Sequence, residues 1–140
     1  MKRKVVKFNH EVRDSIRQGI TILADAVKTT MGPRGKTVLI ERQGMHPIVT
    51  KDGVTVAKSI NLRNAFQNLG VQVVKDAASR SAEEAGDGTT TATVLTQAIY
   101  ENGLRMISSG EDSVSLRRGI ESAVGDVVDY LKQSSKKLEN

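Results

Sequence analysis

The sequence predicts an all-α protein: a helical bundle of four long helices with one small β-hairpin and a short N-terminal strand. Three observations predict it. Apolar residues recur at helical spacing in four separate stretches of the 140-residue chain. Two short β-branched runs stand close together with a polar turn between them. Hydrophobic residues make up 38% of the chain and charged residues 26%, a balance that buries a core and does not suit disorder. With 2 Tyr, 2 Phe and no Trp, that core must be built from Val, Ile, Leu and Ala.

The elements follow in order. Lys4-Val5-Val6-Lys7-Phe8 reads as a short strand, and Asn9 suits a helix cap. Val12, Ile16, Ile20, Leu23, Val27 and Met31 form one apolar helical stripe, which Gly32-Pro33 stops. The runs 37–41 and 47–50, joined by the polar turn 42–46, form the hairpin; an isolated hairpin is marginal, so this one needs a supporting surface. Lys51-Asp52-Gly53 is a turn signal before a short helical segment from Val54 to Ile60. The second stripe is Leu62, Phe66, Leu69, Val73 and Ala77, in a helix that runs to about Glu84 and breaks at Gly86-Asp87-Gly88. A third helix starts in Thr89-Thr90-Thr91, carries Val94, Leu95, Ala98 and Ile99, and ends near Gly110. Ser113 caps the fourth, whose stripe is Leu116, Ile120, Ala123, Val127 and Leu131. The tail, 133–140, is polar. There is no internal repeat.

Composition narrows the function. The chain has no Cys, which excludes disulfides and thiolate metal sites. His10 and His46 stand apart from each other, form no histidine-rich cluster and read as surface residues. No apolar run approaches the roughly 18 residues of a membrane span, and the basic N-terminus lacks the apolar stretch of a signal peptide. The expectation is a soluble intracellular protein without a membrane partner. A net charge of +5 and a pI near 9.6 raise the question of nucleic acid. The distribution argues against it: residues 1–63 carry 13 basic and 5 acidic side chains, and residues 64–140 carry 8 and 11. Few aromatics are present on which bases could stack.

Three loops are candidates for chemistry. In Ala85-Gly86-Asp87-Gly88-Thr89-Thr90-Thr91 the glycines precede a helix whose first turn is three threonines, poor helix formers. Free backbone N–H groups there suit an anion, and Asp87 among phosphate-binding groups suits a bridging Mg²⁺. A plain Gly-Asp-Gly turn with a Thr cap is the alternative. Another loop, Thr29 to Lys36, places Arg34 and Lys36 beside two glycines that allow close backbone approach; a helix stop with solvated charges is its alternative. Its spacing is not that of a Walker A loop. The last, Thr50-Lys51-Asp52-Gly53, is either a turn or a second carboxylate that places water or metal.

These residues, taken together and in order, resemble a known family. Ala24-Asp25-Ala26-Val27-Lys28, Gly32-Pro33-x-Gly35, Thr50-Lys51-Asp52-Gly53-Val54 and Ala85-Gly86-Asp87-Gly88-Thr89-Thr90-Thr91-Ala92-Thr93-Val94-Leu95 look like the N-terminal part of a group I chaperonin, the GroEL type of the 60 kDa chaperonins. The likeness runs from about Val5 to about Leu131, and Leu116-Arg117-Arg118-Gly119-Ile120 fits its final helix.

The resemblance implies a helical ATPase domain. Residues 1–133 would be the N-terminal part of the equatorial domain, and 134–140 the start of the link to an intermediate domain. The function implied is that of an ATP-dependent chaperone subunit, a chaperonin ATPase when full length, with ATP, Mg²⁺ and K⁺ as ligands. Thr30, Met31, Gly32, Pro33 and Lys51 would line the nucleotide pocket. Asp87 would hold Mg²⁺, and Gly88, Thr89, Thr90 and Thr91 would wrap the phosphates. Asp52 would position the attacking water, and K⁺ would lie against the backbone of Thr30 and Lys51. Partners would be copies of the chain in a double ring of seven per ring, a co-chaperonin lid, and unfolded polypeptides held by a domain absent here. The hairpin would pair with a neighbouring subunit's terminal strand. The location implied is the bacterial cytoplasm or an organellar matrix.

There are departures. Met31 stands where the family usually has Leu, and Ser59 and Asn61 replace usual acidic positions. The apical domain, the C-terminal half of the equatorial domain and the main catalytic Asp lie outside this chain. Weak or no ATP turnover by the chain alone is expected, together with exposed apolar surface. The competing expectation is a non-catalytic remnant that acts as an assembly or regulatory module.

Overall fold

A computed structural model of the chain describes residues 10–136. The expected strand at 4–8, the helix cap expected at Asn9 and residues 137–140 lie outside the described residues. Five helices and a two-stranded sheet follow in the order α1 (His10–Lys28), β1 (Val38–Ile40), β2 (Ile48–Thr50), α2 (Gly53–Ser59), α3 (Ala65–Ala85), α4 (Thr89–Ser108) and α5 (Ser113–Ser134). The mostly helical class and the single hairpin are those the sequence predicts. The chain forms two compact units, divided after Glu101.

In the first unit α1 packs on α3. The helices cross where each carries a glycine. A Cβ on Gly19 would strike the carbonyl oxygen of Gln67, and one on Gly70 would strike that of Ile16. Only glycine permits this backbone-to-backbone approach. Around the crossing Ile20, Leu23, Val27, Val56, Ala57, Val71 and Val74 form the buried core. Each large aliphatic side chain there contributes roughly 1.5–3 kcal/mol by leaving water.

The hairpin is antiparallel, with Val38 opposite Thr50, Leu39 opposite Val49 and Ile40 opposite Ile48. Val38 and Ile40 pack against the core, whereas Leu39 and Val49 point outward and are exposed. The helix ends carry their own signals. The Asn64 side chain accepts the N–H groups of Phe66 and Gln67 to start α3, and Gly86 ends it at φ 72°.

Two stripes differ from expectation. In α3 the buried face is Gly70, Val71, Val74 and Ala78, and Leu69 and Val73 are about half exposed. The helix begins at Ala65, so Leu62 precedes it, and the glycine crossing rotates the helix to bring Gly70 inward. In α4 the buried face is polar: Thr89, Thr93 and Gln97 are inside, and Leu95 and Ile99 are exposed. The burial is possible because each polar group is satisfied. Thr93 Oγ1 donates to the Thr89 carbonyl at 2.9 Å, and Gln97 bonds at both ends of its amide. The first helix also stops at Lys28, so Met31 lies beyond it.

In the second unit α4 ends in a Schellman motif. Gly110, at φ 101°, donates to Ile107, and Glu111 donates to Met106. The Asp112 carboxylate caps α5 through the Ser115 N–H at 2.8 Å. No residue of α5 is buried. Its stripe has the expected period, but Val124, Val127, Val128, Tyr130 and Leu131 are exposed.

Candidate functional site

The three loops singled out from sequence converge on Gly53, the first residue of α2. A Cβ there would strike Thr90 Oγ1 and would lie 3.3 Å from Val27 Cγ1 and 3.4 Å from Thr30 Oγ1. Thr30 comes from the loop after α1, Gly53 from the turn after β2, and Thr90 from the first turn of α4. Gly53 was not among the residues expected from sequence; its absence of a side chain is what lets the two threonines approach. The signal was present in Lys51-Asp52-Gly53, which read as a turn or as a carboxylate placing water or metal, with no role for the glycine itself.

The first loop is closed on itself. Thr30 donates its hydroxyl and its N–H to the Val27 carbonyl, at 2.7 and 3.0 Å. Gly32 turns the chain at φ 73°, Gly35 N–H donates to Gly32 at 2.9 Å, and Lys36 N–H donates to Thr29 at 2.6 Å. A Cβ on Gly35 would strike the Thr30 carbonyl oxygen, so this loop too needs glycine. Met31, Gly32 and Pro33 are exposed along it.

In the second loop Asp52 caps α2. Its carboxylate accepts the N–H of Val54 at 3.1 Å, the N–H of Thr55 at 2.9 Å and the hydroxyl of Thr55 at 2.5 Å. The Thr55 hydroxyl above all, with those two amides, holds the carboxyl below the usual carboxylate range. Asp52 is therefore ionised near neutral pH, and three of its acceptor positions are in use. Lys51 is exposed beside it.

The third loop uses two glycines in left-handed conformation, Gly86 at φ 72° and Gly88 at φ 83°. Ser81 Oγ donates to the Asp87 carbonyl at 2.8 Å, and Gly88 N–H donates to Asp87 Oδ1 at 2.6 Å. The other carboxylate oxygen of this exposed side chain faces no donor among the described residues. The first intrahelical bond of α4 runs from Ala92 N–H to Gly88. The N–H groups of Thr89, Thr90 and Thr91 therefore have no helical acceptor, as in any first turn.

A cleft of about 130 Å³ adjoins Thr89 between α2 and α3, lined in part by Ala57, Lys58, Lys75, Ala78 and Ala82. It is smaller than the pockets that enclose whole small-molecule ligands. Burial lowers the pKa of Lys75, whose ammonium donates to the Lys58 carbonyl and to Asn61. Among the described residues no group of three or more His, Cys, Asp or Glu side chains could hold a metal ion. A cation at Asp87 would need oxygens supplied by a ligand or water. His10 and His46 are exposed, and no helix among the described residues is long and apolar enough to cross a membrane.

A model of the TCP-1/cpn60 chaperonin family matches residues 23–140. The chain belongs to that family. Among solved structures, this chaperonin chain is similar to the chaperonin gp146 from the bacteriophage EL 2 (Pseudomonas aeruginosa), solved in presence of ATP-BeFx. In one crystal form the TM-score is 0.80 at 35% identity, covering 93% of this chain and 22% of that one. In the other the TM-score is 0.77 at 34% identity, covering 94% and 23%. A group III chaperonin in the open state shares the fold, at TM-score 0.80 and 24% identity over 92% of this chain and 25% of that one. The chaperonin chain thus spans about a quarter or less of the length of these structures.

Proposed function

We propose that this chaperonin chain is the nucleotide-binding equatorial segment of an ATP-dependent chaperone subunit. Residues 1–133 are then the N-terminal part of the equatorial domain, and 134–140 begin the link to an intermediate domain. The observation that carries the reading is the convergence of three loops on Gly53, with Thr30 and Thr90 on either side of it. The left-handed Gly86 and Gly88 lead into the first turn of α4, whose N–H groups have no helical acceptor, and such groups bind phosphate.

In this reading Gly88, Thr89, Thr90 and Thr91 hold the phosphates, and Thr30, Met31, Gly32, Pro33 and Lys51 line the site. Asp87 has one oxygen fixed by Gly88 and one open, which fits a Mg²⁺ completed by phosphate oxygens and water. The carbonyls of Thr30 and Lys51 are hard oxygen donors suited to K⁺. The cations supply charge neutralisation at the phosphates. Asp52 stays ionised and orients water through acceptor capacity left over from capping. Full length, the subunit is an ATPase that assembles with copies of itself in a double ring of seven per ring, takes a co-chaperonin lid and folds non-native polypeptides in the bacterial cytoplasm or an organellar matrix. Within the family, Thr50-Lys51-Asp52-Gly53-Val54 supports group I. The chaperonin solved with ATP-BeFx at 35% identity supports nucleotide binding.

Calorimetric titration of Mg-ATP into the chain, with Asp87→Ala as the comparison, tests the proposal. Binding that the substitution abolishes is expected, with little or no turnover. A chain that unfolds cooperatively and yet takes up no Mg-ATP refutes preformed binding in this segment.

A further inference from the structure

Three side-chain bridges join α1 to α4. Tyr100 Oη donates to the Arg13 carbonyl at 3.2 Å, Thr21 Oγ1 donates to Glu101 Oε1 at 3.4 Å, and Lys28 Nζ donates to Gln97 Oε1 at 2.5 Å. Gln97 is only 5% exposed. Its Nε2 donates to Glu101 Oε1 at 2.9 Å, so both ends of the amide are engaged and its orientation is fixed.

The position of this bridge matters more than its strength. Lys28 is the last residue of α1, and the loop that holds Thr30 departs from it. Gln97 lies on the same buried face of α4 as Thr89 and Thr93, two turns along from the threonine cluster. The bridge thus ties the root of the first loop to the helix that carries the third. Without Gln97, Lys28 has Asp25 at 3.7 Å as its other partner, a solvent-exposed pair on its own helix that holds nothing across the gap.

We infer that Gln97 is a positioning residue, acting through Lys28 to set the spacing of Thr30 and Thr90 on either side of Gly53. The inference rests on the proposed nucleotide site for its functional meaning, but its geometry does not.

The test compares Lys28→Met, Gln97→Leu and the double variant in the whole chain, by amide hydrogen exchange and by Mg-ATP calorimetry. The amides of Gly35 and Lys36 report the first loop, because their hydrogen bonds close it. Each single variant should speed their exchange roughly tenfold, the loss of about one charged hydrogen bond. The double variant should add nothing further, and Lys28→Arg, which keeps a donor, should restore most of the protection. Amides of the α1–α3 core should be unmoved. Unchanged loop exchange, additive single effects, or a uniform loss of protection across the core would overturn the inference. The two readings fail separately. Loosened loops in a chain that binds no Mg-ATP would sink the nucleotide site alone, and equal Mg-ATP affinity in wild type and Gln97→Leu would sink the positioning role alone.

Discussion

Replacing Gly70 with alanine sets two large effects against each other. Helix propensity favours alanine by about 0.5–1 kcal/mol in a helix interior. The crossing opposes it. The new Cβ would strike the Ile16 carbonyl oxygen and lie 3.0 Å from Ile20 N, and both are backbone atoms that no rotamer change can move aside. To reach an ordinary contact the helices must part by about 1 Å, which forfeits a quarter or more of the dispersion across the interface. The side chains of Ile20, Leu23, Val27, Val71 and Val74 are fully buried there. At about 2 kcal/mol each, a quarter lost is about 2.5 kcal/mol, and overpacking adds roughly 1 kcal/mol or more. The expected outcome is net destabilisation of about 3 kcal/mol. For a unit of this size the midpoint should fall by at least about 10 °C. Thermal and urea melts by circular dichroism measure it, with Gly125→Ala as the comparison. That glycine lies in α5 with nothing within 4 Å of its would-be Cβ, so alanine should stabilise there. If Gly70→Ala is as stable as wild type, the backbone-to-backbone crossing is wrong.

Asp52→Ala should remove the cap of α2 and cost about 1 kcal/mol, read as faster exchange at Val54 and Thr55 and a lower urea midpoint. Because Asp52 has a folded pKa below its ordinary value of about 3.8, its contribution is fully present above that value. It disappears as pH falls through the lower folded value, so an acid titration of wild type should approach the variant's stability below pH 3.8. Asp112, held low by the Ser115 N–H, has the same sign, and Asp112→Ala should fray the first turn of α5 in exchange measurements at neutral pH. On α5, Val127→Glu with Leu131→Lys breaks the exposed apolar stripe, and sedimentation velocity should show less self-association than wild type at the same concentration.

Element types were legible because periodicity and punctuation agree along this chain. Gly32-Pro33, Asp52-Gly53, Gly86 and Gly110 each stand at or within a few residues of an observed helix end, and the cap expected at Ser113 sits one residue earlier, at Asp112. Faces were less legible. The sequence of α4 offers Leu95 and Ile99 as its inward side, yet Thr93 and Gln97 are buried, because hydrogen bonds to Thr89, Lys28 and Glu101 satisfy them. The Lys28–Gln97 pairing, across 69 residues, leaves no local trace. The same holds for α3, whose rotation is set by Gly19 on another helix. Of the candidate site, the three loops could be named, but their meeting point could not. Gly53 acts by lacking a side chain, and a glycine in a turn signal looks the same whether or not threonines from two other loops flank it.

The core cluster has a consequence for synthesis. All of its members fall between Ile20 and Val74, and of the hydrophobic residues packed against it only Tyr100 on α4 comes later among the described residues. A ribosome delivers residues in order at roughly 5–20 per second. The α1–α3 frame therefore becomes available for folding several seconds before the apolar stripe of α5 leaves the exit tunnel. The loops around Gly53 acquire their scaffold while the sticky helix is still sheltered, and the segment most in need of a partner is the last of the described helices to be released.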